Sequence, residues 1–232
     1  MSDFLKAVNL KKRYSSKWAL RGVDLNIEKG RIVGLLGHNG SGKSTLLKII
    51  AGLLKPTEGE VLIDGKRPGL ATKGIVSFMP EGSHLYKWMR IKDAISFYRE
   101  MFDDFNGDKA EDYLKLMALN PEDKITSLSR GMMERLKLLL VLSRNAEIYL
   151  LDEPLSGIDP LSRDKIITGI LEGYREGESS IIISTHMVSE IEKIFDEVIF
   201  LDHGEVMMSG NADEMRDQRG KSIEDIFKEV LQ

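Results

Sequence analysis

The sequence predicts an α/β fold with a mainly parallel sheet, interrupted by a block of helices. Three observations carry this. A strand-like run, Ile32-Val33-Gly34-Leu35-Leu36, passes through the glycine loop Gly37-His38-Asn39-Gly40-Ser41-Gly42-Lys43-Ser44-Thr45 into a helical run over 46–51. Three further short apolar runs, 148–151, 181–184 and 198–201, are separated by helical stretches. Between about Ser83 and Arg144 the chain reads as helices alone.

Residues 5–27 read as short strand segments turning at Gly22, with Val23, Leu25 and Ile27 on one face and Asp24, Asn26 and Glu28 on the other. Glu28-Lys29-Gly30-Arg31 turns the chain into the strand that precedes the glycine loop. Gly52 closes the loop helix, 55–59 form a turn and 60–65 a short strand with its own turn. The next strand, 74–79, stops at Pro80. The helical block contains helices over 92–102, 109–118 and 132–143, with turns at 103–107 and 120–123. Residues 148–151 are continuously apolar, the pattern of a buried parallel strand, and end at Asp152-Glu153-Pro154. A helix over 160–174 follows, then strands 181–184 and 198–201 joined by a helix around 188–194. A hairpin at 202–204 leads into 205–208, and 222–230 form an amphipathic helix capped by Ser222.

With 232 residues, 42% of them hydrophobic, the chain is expected to be a single domain over 1–232. Its nucleotide-binding core should occupy about 1–82 and 145–232, and its helical subdomain about 83–144. Formal net charge is −4 and no basic stripe is visible, which argues against a protein whose main task is to grip nucleic acid. There is no cysteine, so disulfides and thiolate metal sites are excluded. No signal peptide or membrane-spanning run is visible. The expected place is cytoplasmic, with any membrane association made through a partner.

The glycine loop carries the chemistry. Gly37, Gly40 and Gly42 let successive N–H groups turn toward one point, and the helix starting near Lys43 adds its positive end there. Lys43 can reach the β- and γ-phosphates of a nucleotide, and the Ser44 hydroxyl can ligand Mg²⁺. Asn39, Ser41 and Thr45 complete the candidate loop contacts. Asp152, closing a buried strand, can ligand the same metal, while Glu153 points differently and can accept a proton from an attacking water. Tyr14 by itself reads equally as an aromatic packed in a small sheet. His38, His84 and His203 stand in loops without metal-ligand spacing.

At this point the chain resembles the ATP-binding subunits of ABC transporters over almost its whole length. The family's phosphate loop matches 37–45, and its magnesium aspartate and catalytic glutamate match Asp152 and Glu153. Ser156-Gly157-Ile158-Asp159 is similar to its D-loop, His186 to its switch histidine and Tyr14 to its adenine-stacking aromatic. Two motifs depart. The signature Leu-Ser-Gly-Gly-Gln stands here as Leu128-Ser129-Arg130-Gly131-Met132, with Ser129 and Gly131 retained at the start of a helix. The Q-loop glutamine is replaced by Glu81, which can still ligand Mg²⁺ and orient water but adds a negative charge beside the phosphates. Altered metal affinity is the expected consequence.

The resemblance implies a P-loop NTPase core, a small N-terminal antiparallel β subdomain and an inserted α-helical subdomain. It implies a head-to-tail dimer, of two copies or with a paralogue, in which Ser129 and Gly131 of one subunit complete the ATP site of the other. Glu153, His186 and Lys43 are then the catalytic residues, Ser44, Glu81 and Asp152 serve the metal, and Asp159 supports the interface. In the family the region of 83–90 receives a helix of the membrane subunit, although Tyr86 and Trp88 read equally as packing for the helical lobe. The function implied is the ATPase motor of a bacterial exporter of peptides, toxins or drugs. An importer subunit and an ATPase acting on nucleic acid or ribosomes are the alternatives. The latter usually carry tandem ATPase domains, coiled coils or zinc modules, and this chain has one glycine loop and no cysteine.

Overall fold

The structure is a computed structural model that describes residues 4–82 and 84–231. Two long strands open the chain, β1 (Leu5–Tyr14) and β2 (Lys17–Ile27), where the sequence suggested several short ones. Register shifts between Ala7 and Leu10 and between Lys12 and Arg13 keep one ladder continuous through what reads as broken strand. They are followed by β3 (Ile32–Leu36), α1 (Lys43–Ile50), β4 (Glu58–Ile63) and β5 (Val76–Met79). The next elements are α2 (Ile91–Met101), α3 (Gly107–Leu116), α4 (Arg130–Leu142), β6 (Ile148–Asp152) and α5 (Pro160–Gly173). The chain closes with β7 (Ser180–Thr185), β8 (Glu197–Asp202), β9 (Glu205–Asn211), α6 (Ala212–Arg219) and α7 (Ile223–Val230).

The strands form two sheets. A three-stranded antiparallel sheet has the order β2-β1-β4, and a six-stranded sheet has the order β5-β6-β7-β3-β8-β9. The larger sheet is parallel except for β9, which returns antiparallel along β8. Successive residues of its strands point to opposite faces, and the burial follows that alternation. Val33, Leu35, Ile148, Leu150, Ile182 and Ile199 pack with α1 and the antiparallel sheet. Ile32, Leu36, Tyr149, Leu151, Ile181 and Phe200 pack with the helices of the opposite side, α4 and α5 among them.

Three differences from the sequence reading have local causes. The helix expected around 188–194 is two 3₁₀ turns, Val188–Glu190 and Glu192–Ile194, because Ile191 leaves helical geometry at φ −138°. The helix expected from Met132 begins at Arg130, since the Ser129 side chain accepts the Met132 N–H at 3.2 Å and serves as its cap. Residues 212–219 carry α6, which the sequence reading left without an element. Its polar composition hides the apolar periodicity, while the Asn211 cap and Gly220 at φ +61° fix its ends.

Candidate functional site

The parallel register brings the site together. Leu36 pairs with Thr185, and Asp152 with Ser184, so β3, β6 and β7 all end at one edge of the sheet. In an open parallel sheet this is the edge where ligands bind. The glycine loop leaves β3 there and enters α1 through Gly42, whose φ of +114° is accessible to glycine. A side chain at Gly37 would collide with the Leu201 carbonyl, which is why the loop folds back tightly at its first glycine.

Lys43 is buried, and its ammonium donates to the carbonyls of Gly37 at 2.7 Å and His38 at 3.2 Å. It lies 3.1 Å from Glu153 Oε1. Glu153 Oε2 meets His186 Nδ1 at 2.9 Å. Asp152 Oδ1 accepts from the Ser44 hydroxyl at 3.0 Å and from the Ser184 hydroxyl at 2.6 Å. Successive strand residues normally point apart, yet both carboxylates serve one site. Asp152 ends the strand, and Glu153 takes φ +51°, a left-handed conformation that costs on the order of 1 kcal/mol or more in a residue with a side chain. The Ser184 side chain, absent from the sequence reading, ties the pair together, because it also accepts the Glu153 N–H at 3.1 Å. The signal for it was present: a serine ending the apolar run Ile181-Ile182-Ile183 of a buried strand.

These groups border a cavity of about 460 Å³ lined by Tyr14, Lys17, Asn39, Lys43, Glu81 and Glu153, among others. Gly40, Gly42, Ser44 and Thr45 also line it. Tyr14 is 46% exposed at the end of β1 with Lys12 over its ring, so it is not held in the sheet core. Two buried oxygens here make no hydrogen bond within the chain, Ser41 Oγ in the glycine loop and Glu153 Oε1, the latter held only by its ion-pair contact with Lys43. Buried polar atoms left open in this way are available to a ligand or a water. The donor set of Ser44 and Asp152, with Glu81 on the cavity wall, consists of hard oxygens. It is too sparse to cage a metal without help, and among the described residues no group of three or more His, Cys, Asp or Glu is arranged to hold a metal ion. That composition fits Mg²⁺, which keeps several waters and shares its shell with phosphates.

The signature residues lie apart from this cavity's lining. Ser129 is exposed at the N-terminus of α4, and Gly131 is buried behind it. A Cβ at Gly131 would stand 2.6 Å from Ser162 Oγ and 3.0 Å from Asp159 Oδ2. Asp159 caps α5 by accepting the Ser162 N–H at 2.9 Å, and that bond holds its carboxyl below the ordinary aspartate range. The replacement at Arg130 has a counterpart: its guanidinium lies 3.5 Å from the Ser156 hydroxyl and over Gly157, in the space a Cβ there would need. His38 is not without contacts, since its ring packs 5.5 Å from that of Phe227 on α7. Tyr86 and Trp88 stack on each other and are 54% and 73% exposed. The packing reading of this pair therefore fails for Trp88, while Tyr86 keeps an edge contact with Phe97.

Comparison with known proteins agrees with this geometry. The family model described as ABC transporter matches residues 20–156, more than half of the chain. An uncharacterized ABC transporter ATP-binding protein of Methanocaldococcus jannaschii is 31% identical over 220 residues, covering 93% of this chain and 80% of the relative. The linearmycin resistance ATP-binding protein LnrL of Bacillus subtilis is 30% identical, over 93% of this chain and 72% of its own. The lantibiotic transport ATP-binding protein SrtF of Streptococcus pyogenes is 29% identical, over 98% and 97%. Among solved structures, the ATP-binding subunit of an ABC transporter superposes with a TM-score of 0.85 at 26% identity, covering 98% of this chain and 99% of that one. A dimeric ATP-binding cassette in a post-hydrolysis state, bound to ADP and Pi, superposes with a TM-score of 0.79 at 27% identity, over 89% and 98%. No helix among the described residues is long and apolar enough to cross a membrane. The chain belongs to the ABC transporter family, as an ATP-binding motor subunit with ATPase activity.

Proposed function

We propose that this subunit hydrolyses Mg²⁺-ATP at the edge where β3, β6 and β7 end, and that it works at the cytoplasmic face of a membrane as the motor of an exporter. One observation carries the reading: Lys43, Ser44, Asp152, Glu153 and His186, from three separate segments, are joined by contacts of 3.1 Å or less. Lys43 and the loop amides of 37–45 hold the terminal phosphates, and Tyr14 offers its exposed ring to the adenine. Ser44, Asp152 and Glu81 would hold Mg²⁺, which when bound neutralises phosphate charge. Glu153 Oε1, buried beside Lys43, takes the proton of the attacking water, while His186 Nδ1 fixes the other carboxylate oxygen.

Ser129 and Gly131, set apart from the cavity, present the α4 N-terminus to the nucleotide of a second subunit. The dimeric cassette bound to ADP and Pi supports this arrangement. The stacked Tyr86–Trp88 pair is where the membrane subunit docks. The likeness to LnrL and SrtF supports export of peptides, toxins or drugs. Calorimetry of the full chain with ATP and Mg²⁺ tests the core of the reading. The expected result is ATP binding that weakens when Mg²⁺ is chelated and is lost in Lys43→Ala. ATP binding unaffected by both changes would overturn it.

A further inference from the structure

Lys137 lies in the middle of α4 and is completely buried, a place where an ammonium survives only with good partners. It has two. It donates to Glu134 Oε2, one turn back on the same helix, at 2.8 Å, and to the backbone carbonyl of Glu81 at 3.0 Å. Burial raises the Glu134 carboxyl above its ordinary range, Lys137 opposes that shift, and the charge of the exposed Glu81 side chain adds to it. The segment after Glu81 is pinned a second time. His84 Nε2 and the hydroxyl of Tyr98, a buried residue of α2, are 2.6 Å apart. Two and four residues on stand Tyr86 and Trp88.

The ATPase site uses none of Lys137, Glu134, His84 or Tyr98, yet α4 is the helix that begins at Ser129 and Gly131. An apolar residue would fill the Lys137 position at lower desolvation cost. We infer that Lys137 is a positioning residue for ATP hydrolysis: its buried ammonium ties the backbone of Glu81, on the wall of the phosphate cavity, to the helix that carries Ser129 and Gly131. A rigid bond between the two makes a displacement of the signature helix move the Glu81 carboxylate with it. Lys137 touches no reacting atom and acts through Glu81. The inference thus rests on Glu81 belonging to the hydrolytic site.

The test uses Lys137→Met alone and together with Glu134→Met. The double substitution removes both buried charges at similar volume and keeps the fold where the single one leaves Glu134 unpaired. With the full chain, the double variant is expected to melt within a few degrees of wild type, since such replacements are often neutral. Its KM for ATP should stay within about two-fold and its kcat fall about ten-fold, the scale of a misplaced site group. In a Glu81→Ala background the same double substitution should change kcat no further, which a merely structural defect would not predict. An unchanged kcat in the double variant, or an equal loss in both backgrounds, overturns the role of Lys137 while leaving the site reading intact. A normal kcat in Glu81→Ala alone overturns the site reading, and the inference falls with it.

Discussion

Replacing Glu153 with glutamine separates the proton-accepting role of this side chain from its shape. In the structure the carboxylate is 6% exposed, with Oε1 3.1 Å from Lys43 Nζ and Oε2 2.9 Å from His186 Nδ1. Removing one partner of a buried ion pair outright costs about 3–5 kcal/mol, because the other charge is left unpaired. Here Lys43 keeps the carbonyls of Gly37 and His38, and glutamine keeps one acceptor oxygen. The expected loss is therefore reduced to about 1–2 kcal/mol, the scale of one or two net hydrogen bonds. At about 2–4 °C per kcal/mol for a chain of this size, the melting temperature should fall by about 2–8 °C. Turnover should fall further, by at least about 100-fold, the lower limit for removal of a general base. ATP affinity should be retained, since the phosphate-binding groups stay in place and the negative charge beside Lys43 is gone. Single-turnover phosphate release, read together with calorimetric ATP binding, makes the check. Turnover within ten-fold of wild type, with the melting shift as expected, would remove Glu153 as the base.

Ser184→Ala should slow turnover about ten-fold at saturating ATP. It should also cost about 1.5–3 kcal/mol by chemical denaturation, the worth of a hydrogen bond to a charged group. Turnover and stability both equal to wild type would deny that the hydroxyl at 2.6 Å orients Asp152. Tyr86→Asp should leave ATP hydrolysis by the isolated subunit unchanged and abolish transport in the complex with the membrane partner, and parallel loss of both activities would contradict docking at the stacked pair. Glu197 provides a pH test. Burial raises its pKa, Arg31 pulls it down, and Glu28 and Asp196 push it up again, leaving a net rise. The native state therefore binds this proton more readily than the unfolded chain, so stability from protonation is present at low pH and lost as pH rises through the folded value. Glu197→Gln should raise the melting temperature at pH 8, with the gain vanishing once pH falls below the ordinary glutamate value of about 4.3. A gain that grows toward low pH would refute the sign.

The loop, the strand before it and the carboxylates at 152–153 were legible because each depends on local chemistry. Glycines at set spacing, an apolar run and a polar stop are all visible within a dozen residues. What was hidden depends on register. Ser184 acquires its role only because β6 and β7 pair with Asp152 opposite it. Lys137 reads as one more polar position on an amphipathic helix, and only packing shows it to be wholly enclosed. The length of β1 was obscured by irregular pairing near Asn9, which takes φ +45°. The 3₁₀ turns at 188–194 carry enough apolar residues to imitate a helix, but their breaks at Met187 and Ile191 leave no trace in composition.

The central sheet feeds alternate residues of each strand into two cores with no shared side chain. On one side lie the glycine-loop helix and the antiparallel sheet, and on the other the helices leading to the signature. The apolar side chains of the two sides therefore meet only through the strand backbones, and polar links such as the bond from Lys137 to the Glu81 carbonyl carry the coupling between them. Apolar residues of the helical side can be repacked while those around the glycine-loop helix keep their neighbours.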